Sequence, residues 1–123
     1  MSYRISKRFA FSASHQLDTL GGDHPCARLH GHNYEVEIVS EAGELDEHGF
    51  VHDYRAYDEL KCFLDRVVDH RHLNDVVTGP PTAEVLARWL YDWCVAIFPA
   101  PVAARLAAVR VSETPRTWAE YRP

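Results

Sequence analysis

The sequence has few cysteines and no long apolar run, and both shortages exclude classes of protein. Its three cysteines are widely spaced and include no C-x-x-C pair, which argues against a disulfide framework and against a structural zinc knuckle. No stretch approaches the roughly 20 apolar residues of a membrane-spanning helix. The N-terminal residues also lack the apolar segment of a signal peptide. These shortages predict a cytoplasmic protein.

Basic residues are outnumbered by acidic ones. Lysine and arginine total 13 against 18 aspartate and glutamate residues, the net charge is -5, and no run of basic residues interrupts this excess. An acidic surface disfavours nucleic acid and anionic membranes as partners. An anionic ligand would therefore require a positive field that is confined to a pocket.

The hydrophobic pattern predicts one α+β domain over residues 1–123. A chain of this length with 46% hydrophobic residues can fill a single core. Residues 3–15 and the residues from His30 onward alternate as β-strands, and residues 50–54 suggest a short further strand or strand edge. Helical patterns follow over about residues 55–68 and after Thr82, which is placed to cap the second helix. The apolar stripe of that helix comprises Val85, Leu86, Trp89, Leu90, Trp93 and Ile97.

The last residues of the chain resemble a hairpin of two strands. The predicted order of elements is therefore ββααββ. Such an order indicates two helices packed on one face of an antiparallel sheet.

Histidine is the most informative residue type, because six of the eight histidines lie in three short polar segments: His15; His24, His30 and His32; and His70 and His72. His30 and His32 point to the same face of a strand, because successive side chains alternate. With His15 at the end of the neighbouring strand they offer three imidazoles, the ligand number of a catalytic zinc site with one open position. Spacing alone leaves two alternatives. His70 and His72 could be the metal ligands instead, or the H-x-H pair could arise by chance and bind no metal.

The three cysteines have different expected roles. Cys62 and Cys94 fall within predicted helices among apolar neighbours, where a free cysteine acts as a small hydrophobic residue. Cys26 lies in a polar loop near the histidines, and a bound metal or a cationic histidine would lower the pKa of its thiol. Cys26 is therefore a candidate general base or nucleophile. The alternative is a loop cysteine without a chemical role.

Two carboxylates stand out by their positions. Asp69 directly precedes His70 where the first helix ends, so its carboxylate can orient the imidazole in a proton relay. The alternative is that His70 only complements the negative end of the helix dipole. Glu113 has the same strand parity as the inward-facing apolar residues before it, so its carboxylate should face the interior. A planar ligand with two adjacent N–H donors could donate two hydrogen bonds to this carboxylate. The alternative is a solvated Glu113, because Pro115 ends the strand nearby.

Six segments, taken in order, resemble the 6-pyruvoyl-tetrahydropterin synthase family, in particular its 6-carboxy-tetrahydropterin synthase branch in 7-deazapurine (queuosine) biosynthesis. They are FSASHQL, CARLHGHNYEV, GFVHDY, LDRVVDHRHLND, PTAEVLARWL and VRVSET, which span nearly the whole chain. The resemblance implies the tunnelling fold, with two helices and four strands in each subunit. In that fold, trimers close into antiparallel barrels, and two trimers stack as a homo-hexamer with active sites between subunits.

The resemblance also implies a cofactor and a reaction. It implies that His15, His30 and His32 bind Zn²⁺. It implies conversion of 7,8-dihydroneopterin triphosphate to 6-carboxy-5,6,7,8-tetrahydropterin, with release of acetaldehyde and triphosphate. The gap of three residues between Cys26 and the HGH motif resembles the carboxy branch, because the pyruvoyl branch has a longer gap.

Two alternatives to this reaction stay open on the sequence. One is a 6-pyruvoyl-tetrahydropterin synthase, which eliminates triphosphate, and the other is a non-catalytic pterin- or purine-binding protein of the same fold. The C-terminal segment, which carries Trp118, is bulkier than the family pattern, and this departure bears on the choice of substrate.

For the remaining candidate residues, the resemblance implies roles in catalysis and pterin binding. It implies that Cys26 is the catalytic base and that Asp69 and His70 are its proton-relay partners. Glu113 is implied to anchor the pterin ring and to take part in the relay, and Thr82 to line the pterin pocket.

Overall fold

In the computed structural model, which describes residues 2–123, the chain forms one five-stranded sheet with its helices on one face. The strands are β1 (Tyr3–His15), β2 (His30–Ala42), β3 (Arg71–His72), β4 (Leu106–Thr114) and β5 (Thr117–Tyr121), in the sheet order β3-β1-β2-β4-β5. Neighbouring strands are antiparallel except β1 and β3, which are parallel. The predicted α+β class and the final hairpin are confirmed.

The sheet has five strands rather than the predicted four, because the chain returns to the edge of β1 after the first helical segment. Two residues at the end of β1 pair with β3, and His70 donates its backbone N–H to the Ser12 carbonyl over 2.6 Å. His70 adopts a φ of 58° there, a left-handed conformation that is unusual for a residue other than glycine. A strand of two residues has no hydrophobic alternation, so the pattern could not indicate it.

The predicted first helix, over residues 55–68, consists of three consecutive segments of different pitch. They are a 3₁₀ turn at Tyr54–Tyr57, α1 at Asp58–Phe63 and a π-helical turn at Leu64–Val68. Asp53 begins the series by accepting the backbone N–H of Arg55 over 2.8 Å. The helical location is thus confirmed, whereas a uniform α-helix is not found.

Residues 50–54, which the sequence suggested as a short strand, contain no strand. Val51 is buried at this point, and its carbonyl accepts a hydrogen bond from the side chain of Arg105. The carbonyl is therefore satisfied by a side chain rather than by a neighbouring strand.

The second helix, α2 (Ala83–Ile97), begins as predicted. The hydroxyl of Thr82 accepts the backbone N–H of Val85 over 3.2 Å. Ile97 was expected in the buried stripe but is 45% exposed, because the helix ends there and the chain turns into the short α3 (Ala100–Ala103). Among the described residues, no helix is both long and apolar enough to cross a membrane.

The core lies between the helices and one face of the sheet. Its strand residues alternate as predicted and include Phe9, Phe11, Ala13, Tyr34, Val36 and Ile38. Cys94 is fully buried in this core, whereas Cys62 is exposed. The prediction that Cys62 is a buried small hydrophobic residue is therefore wrong, because α1 turns Leu60 and Phe63, not Cys62, toward the core.

The other face of the sheet is covered by charged side chains that pair across strands. A carboxylate oxygen of Glu37 lies 3.5 Å from Arg8 Nε, and its second oxygen lies 3.0 Å from Arg110 Nη1. Burial alone would raise the pKa of Glu37, but hydrogen bonds from Ser6 and Arg110 and the two arginine charges hold it below its usual range. The sheet therefore has one apolar face and one polar face.

Candidate functional site

Three histidines meet where β1 and β2 pair at one end of the sheet. His15, the last residue of β1, lies opposite His30, the first residue of β2, and His32 lies opposite Ala13. All three share the parity of Tyr34, which faces the core. One ring nitrogen from each histidine lies within 4.8 Å of the other two. The structure thus brings together the three predicted metal ligands.

Backbone carbonyls fix the tautomers of two of these rings. The distance from His15 Nδ1 to the Pro81 carbonyl is 2.8 Å, and from His30 Nδ1 to the Arg28 carbonyl it is 2.7 Å. Because a carbonyl only accepts, both Nδ1 atoms donate, and in the neutral rings both Nε2 atoms present lone pairs. These Nε2 atoms are 2.8 Å apart. Two lone pairs form no hydrogen bond, so a proton or a cation is required between them.

His32 directs its Nε2 atom into the same space. This atom is buried and has no hydrogen-bond partner among residues 2–123, although Glu113 Oε2 lies 3.4 Å away. Burial lowers the pKa of His32; the charge of Glu113 opposes this effect, and His15 and His30 add to it. The lowered pKa favours the neutral imidazole, which is the form that binds metals.

The donor set fits a divalent metal such as Zn²⁺. Three neutral imidazoles with convergent lone pairs match a zinc site that keeps its fourth position open. The Pro81 and Arg28 carbonyls are outer partners of the kind that orient metal-binding histidines. In the described part of the chain, this is the only group of at least three histidine, cysteine or acidic residues that lies close enough to hold a metal.

The rival pair, His70 and His72, lies apart from this group. His72 Nδ1 is hydrogen-bonded to the Ser14 hydroxyl over 2.9 Å. Both histidines line an open cavity of about 480 Å³ together with Ser12, Ser14 and Asn33, and His32 also lines it. The side chains of Ser12, Ser14 and Asn33 have the opposite strand parity to the metal-ligand candidates and belong to the polar face of the sheet.

Cys26 lies in the loop that joins β1 to β2. Its backbone N–H donates to His24 Nδ1 over 3.1 Å, and its carbonyl accepts the backbone N–H of Leu17 over 3.0 Å. Its thiol is free and half-buried, in a short 3₁₀ turn at Pro25–Ala27. The loop is thus anchored at Cys26, but the cysteine is not a member of the three-histidine group.

Asp69 and His70 form the expected carboxylate–imidazole pair. Asp69 Oδ2 lies 2.8 Å from His70 Nδ1, and Asp69 Oδ1 accepts the backbone N–H of Ser12 over 2.9 Å. The hydrogen bond from Ser12, followed by that from His70, lowers the pKa of Asp69. The His70 side chain is 82% exposed. Within one chain, the pair is therefore outside the metal-ligand group, although His70 and His32 line the same cavity.

Glu113 faces the interior side of its strand, as its parity predicted. Its side chain is 26% exposed and lies beside His32. Together with Ala83, at the start of α2, it lines a cavity of about 510 Å³. Thr82 directly precedes this cavity wall, and its hydroxyl is engaged in capping the helix. Glu113 is thus half-buried at a pocket rather than solvated at a strand end.

Three features of the site were not predicted from the sequence. Two of them are the Pro81 and Arg28 carbonyls. Every residue has a backbone carbonyl, so residue type does not show which carbonyl contacts a histidine, and Pro81 is 66 positions from His15. The third feature is the Tyr34 hydroxyl, which is buried without a hydrogen-bond partner in the described chain. Burial, with a smaller effect of Glu113, raises the pKa of Tyr34. Its position on the same strand face as the ligand histidines could have indicated Tyr34.

Comparison with known proteins identifies relatives along nearly the whole chain. The family model for 6-pyruvoyl tetrahydropterin synthase matches residues 4–123. The chain is 32% identical to 6-carboxy-5,6,7,8-tetrahydropterin synthase of Bacillus subtilis, over 99% of this chain and 86% of that protein. It is also 37% identical to dihydroneopterin monophosphate aldolase of Pyrococcus furiosus, over 75% of each chain.

Solved structures give the same result for the fold. The 6-pyruvoyl tetrahydropterin synthase of Caenorhabditis elegans superposes with a TM-score of 0.85 at 27% identity, over 100% of this chain and 96% of that one. The Plasmodium falciparum enzyme, at 15% identity and a TM-score of 0.76, shares the fold. The predicted tunnelling fold is confirmed. Because the family model covers almost every residue, the chain belongs to the 6-pyruvoyl tetrahydropterin synthase family of pterin-pathway lyases.

Proposed function

We propose that the protein is a zinc-dependent lyase of 7-deazapurine (queuosine-type) biosynthesis. It converts 7,8-dihydroneopterin triphosphate and one water molecule to 6-carboxy-5,6,7,8-tetrahydropterin, acetaldehyde and triphosphate. The observation that carries this proposal is the convergence of three imidazole nitrogens at the end of the loop that bears Cys26. The relatives named 6-carboxy-5,6,7,8-tetrahydropterin synthase and the gap of three residues after Cys26 support this product.

In the proposed enzyme, His15, His30 and His32 hold the zinc ion. Bound zinc supplies a Lewis acid that polarises substrate oxygens and stabilises negative charge as it develops. The Pro81 and Arg28 carbonyls hold the protons of two rings on Nδ1. They thereby keep the two Nε2 lone pairs available for the metal.

The other proposed residues move protons and hold the heterocycle. Cys26 acts as the base that removes a proton from the substrate side chain, with Asp69 and His70 as its relay. The lowered pKa of Asp69 keeps the carboxylate ionised, so that it can orient His70 and stabilise its cationic form. Glu113 accepts two N–H groups of the pterin ring, and Thr82 lines that pocket.

We also propose that the enzyme is a cytoplasmic homo-hexamer, a dimer of trimers, in which each site is completed between chains. Within one chain, the His70 side chain is 82% exposed and is not part of the three-histidine group, whose members share the strand parity of the core. A neighbouring copy would supply the Asp69–His70 pair to a site that contains Cys26. Most of the outer edge of β1 is unpaired in one chain, and an exposed edge is a place where copies can join.

A second candidate function is aldolase-type cleavage of a dihydroneopterin phosphate. The Pyrococcus furiosus relative with that name, at 37% identity, favours it. Formation of a 6-pyruvoyl product and pterin binding without turnover are further alternatives within the same family. Each of these functions would use Glu113, and they differ in the product released.

Metal analysis tests the zinc assignment, on which the proposed function depends. Protein purified without chelators and without metal-affinity resin is expected to contain about one zinc per chain, because three histidines leave one open position. His30→Ala should reduce the zinc content to near zero. His72→Ala is the matched control, because His72 also belongs to an H-x-H pair but lies on the polar face, and it should retain full zinc. Metal-free wild-type protein, or equal loss in both variants, would refute the zinc assignment.

A further inference from the structure

Arg28 lies in the loop between Cys26 and His30, two residues from each. Its backbone N–H donates to the Pro25 carbonyl over 3.2 Å, and its own carbonyl lies 2.7 Å from His30 Nδ1. The backbone at Arg28 is therefore held against the three-histidine group. Neither contact uses the side chain, and the residue is exposed.

The guanidinium of Arg28 carries a positive charge that the described chain does not neutralise. Six other arginines form ion pairs with carboxylates: Arg4, Arg8, Arg55, Arg88, Arg110 and Arg122. Within residues 2–123, no carboxylate oxygen lies within 4.0 Å of a nitrogen of the Arg28 guanidinium. In a protein of net charge -5, such a cation remains available to an anionic ligand.

Charges of opposite sign flank the three histidines. Glu113 Oε2 lies 3.4 Å from His32 Nε2, whereas Arg28 contacts His30, the first residue of β2. The backbone of Arg28 is extended, with φ -88° and ψ 153°, and alternate residues of an extended chain lie on the same side. Arg28 is thus expected on the side of His30 and His32. A ligand at the histidines would meet a carboxylate near one ring and a free cation near another.

From these contacts we infer that Arg28 is a substrate-binding residue, whose guanidinium binds the phosphate groups. This inference rests on the proposed function and deepens it, because it assigns a place to the triphosphate. In 7,8-dihydroneopterin triphosphate, the phosphates are attached to the same short side chain whose oxygens would bind at the three histidines, so they must lie close to these rings. An arginine guanidinium can donate two parallel hydrogen bonds to phosphate oxygens. One arginine in this loop would also supply the confined positive field that an acidic protein needs to bind an anion.

Calorimetry on the zinc-loaded full chain tests the inference with two oxidised pterins, neopterin triphosphate and neopterin, which lacks the phosphates. Arg28→Ala should raise the dissociation constant of neopterin triphosphate by at least about tenfold, the effect of losing a charge-assisted hydrogen bond. The dissociation constant of neopterin should not change. Zinc content should also stay at the wild-type level, because alanine retains the backbone carbonyl that contacts His30.

Two further variants serve as controls. Arg28→Lys keeps the charge but not the planar fork of donors, so it should recover part of the affinity for neopterin triphosphate. Arg66→Ala is the matched control, because Arg66 is also exposed and forms no ion pair in the described chain, and its carbonyl also accepts a side-chain hydrogen bond, from Arg71 Nη2 over 3.4 Å. Arg66→Ala should bind both pterins like the wild type.

The two pterins separate failure of the inference from failure of the proposed function. If the wild type binds neopterin, and Arg28→Ala weakens both pterins equally or neither of them, the inference is wrong and the proposed function stands. Loss of zinc from Arg28→Ala would also overturn the inference, because the side chain would then support the metal site rather than bind phosphate. If the wild type binds neither pterin, the proposed pterin chemistry fails together with the inference.

Discussion

At the scale of single residues, the surroundings of each cysteine decide what its thiol can do. Cys94 is fully buried, and burial raises its pKa to about 12, so it stays a thiol at neutral pH. Cys62 is exposed on α1 and is not a member of the three-histidine group. Cys26 is half-buried in an anchored turn shortly before His30. Of the three, Cys26 is therefore the cysteine to which we assign the proposed role of base.

Replacement of Cys26 should separate binding from turnover. Cys26→Ala is expected to lower kcat by at least about 100-fold, which is the lower range for loss of a general base. Zinc content and neopterin affinity should stay at wild-type levels, because the cysteine is not a metal ligand in this account. Cys62→Ala is the control and should leave kcat unchanged. Turnover of Cys26→Ala at a near wild-type rate would disprove the base assignment.

The sequence predicted the residues of the site better than their arrangement. Strand parity alone placed His30 and His32 on one face, and this prediction is confirmed. Whether His15 or His72 joins His30 and His32 as the third candidate ligand depends on the register of β1 against β2. Residue spacing does not determine that register. The position of Asp69 and His70 on the polar face depends on the two-residue strand β3, and no periodic pattern can indicate so short a strand.

At the scale of elements, the start of α2 links helix stability to the proposed metal site. Thr82 caps the helix through Val85, and the preceding residue, Pro81, directs its carbonyl to His15 Nδ1. A change that loosens this first turn should therefore also loosen the orientation of His15, which is one of the three proposed zinc ligands.

The two effects can be measured on one variant. Thr82→Ala should lower the free energy of unfolding by about 1 kcal/mol in urea titration, the usual cost of losing a helix cap. It should also weaken zinc binding by about tenfold in a chelator competition, as for other outer partners of metal ligands. Thr82→Ser keeps a capping hydroxyl and should restore both quantities.

Asp53 provides the matched control for that experiment. It caps the 3₁₀ turn at Tyr54–Tyr57, and no hydrogen bond in residues 2–123 joins this turn to the three histidines. Asp53→Ala should lower stability by a similar amount and leave zinc affinity unchanged. If Thr82→Ala destabilises the chain but binds zinc like the wild type, the proposed link between the cap and the metal site is absent.

The sequence predicted helices and strands well where a periodic hydrophobic pattern extended over many residues. The alternation in β1 and β2 and the cap and apolar stripe of α2 gave their positions, apart from Ile97 at the exposed helix end. The change of pitch within residues 54–68 and the absence of a strand at residues 50–54 depend on tertiary contacts. One such contact is the hydrogen bond from Arg105 to Val51, which joins residues 54 positions apart.

At the scale of the whole molecule, the polar and apolar faces of one sheet divide the proposed chemistry. The metal-ligand candidates and Glu113 belong to the core side, and the Asp69–His70 pair belongs to the polar side. In the proposed hexamer, a pocket between two copies would combine the three histidines of one chain with the Asp69–His70 pair of the next, through contact at the sheet edges.

The candidate functions differ in the reaction that the protein catalyses. Incubation of the zinc-loaded protein with 7,8-dihydroneopterin triphosphate, followed by mass spectrometry of all products, distinguishes them. The proposed lyase should yield 6-carboxy-5,6,7,8-tetrahydropterin and acetaldehyde in equal amounts, with triphosphate released and no product from Cys26→Ala. A 6-pyruvoyl product, an aldol cleavage product that retains no carboxylate, or unchanged substrate would show that the protein is not this lyase.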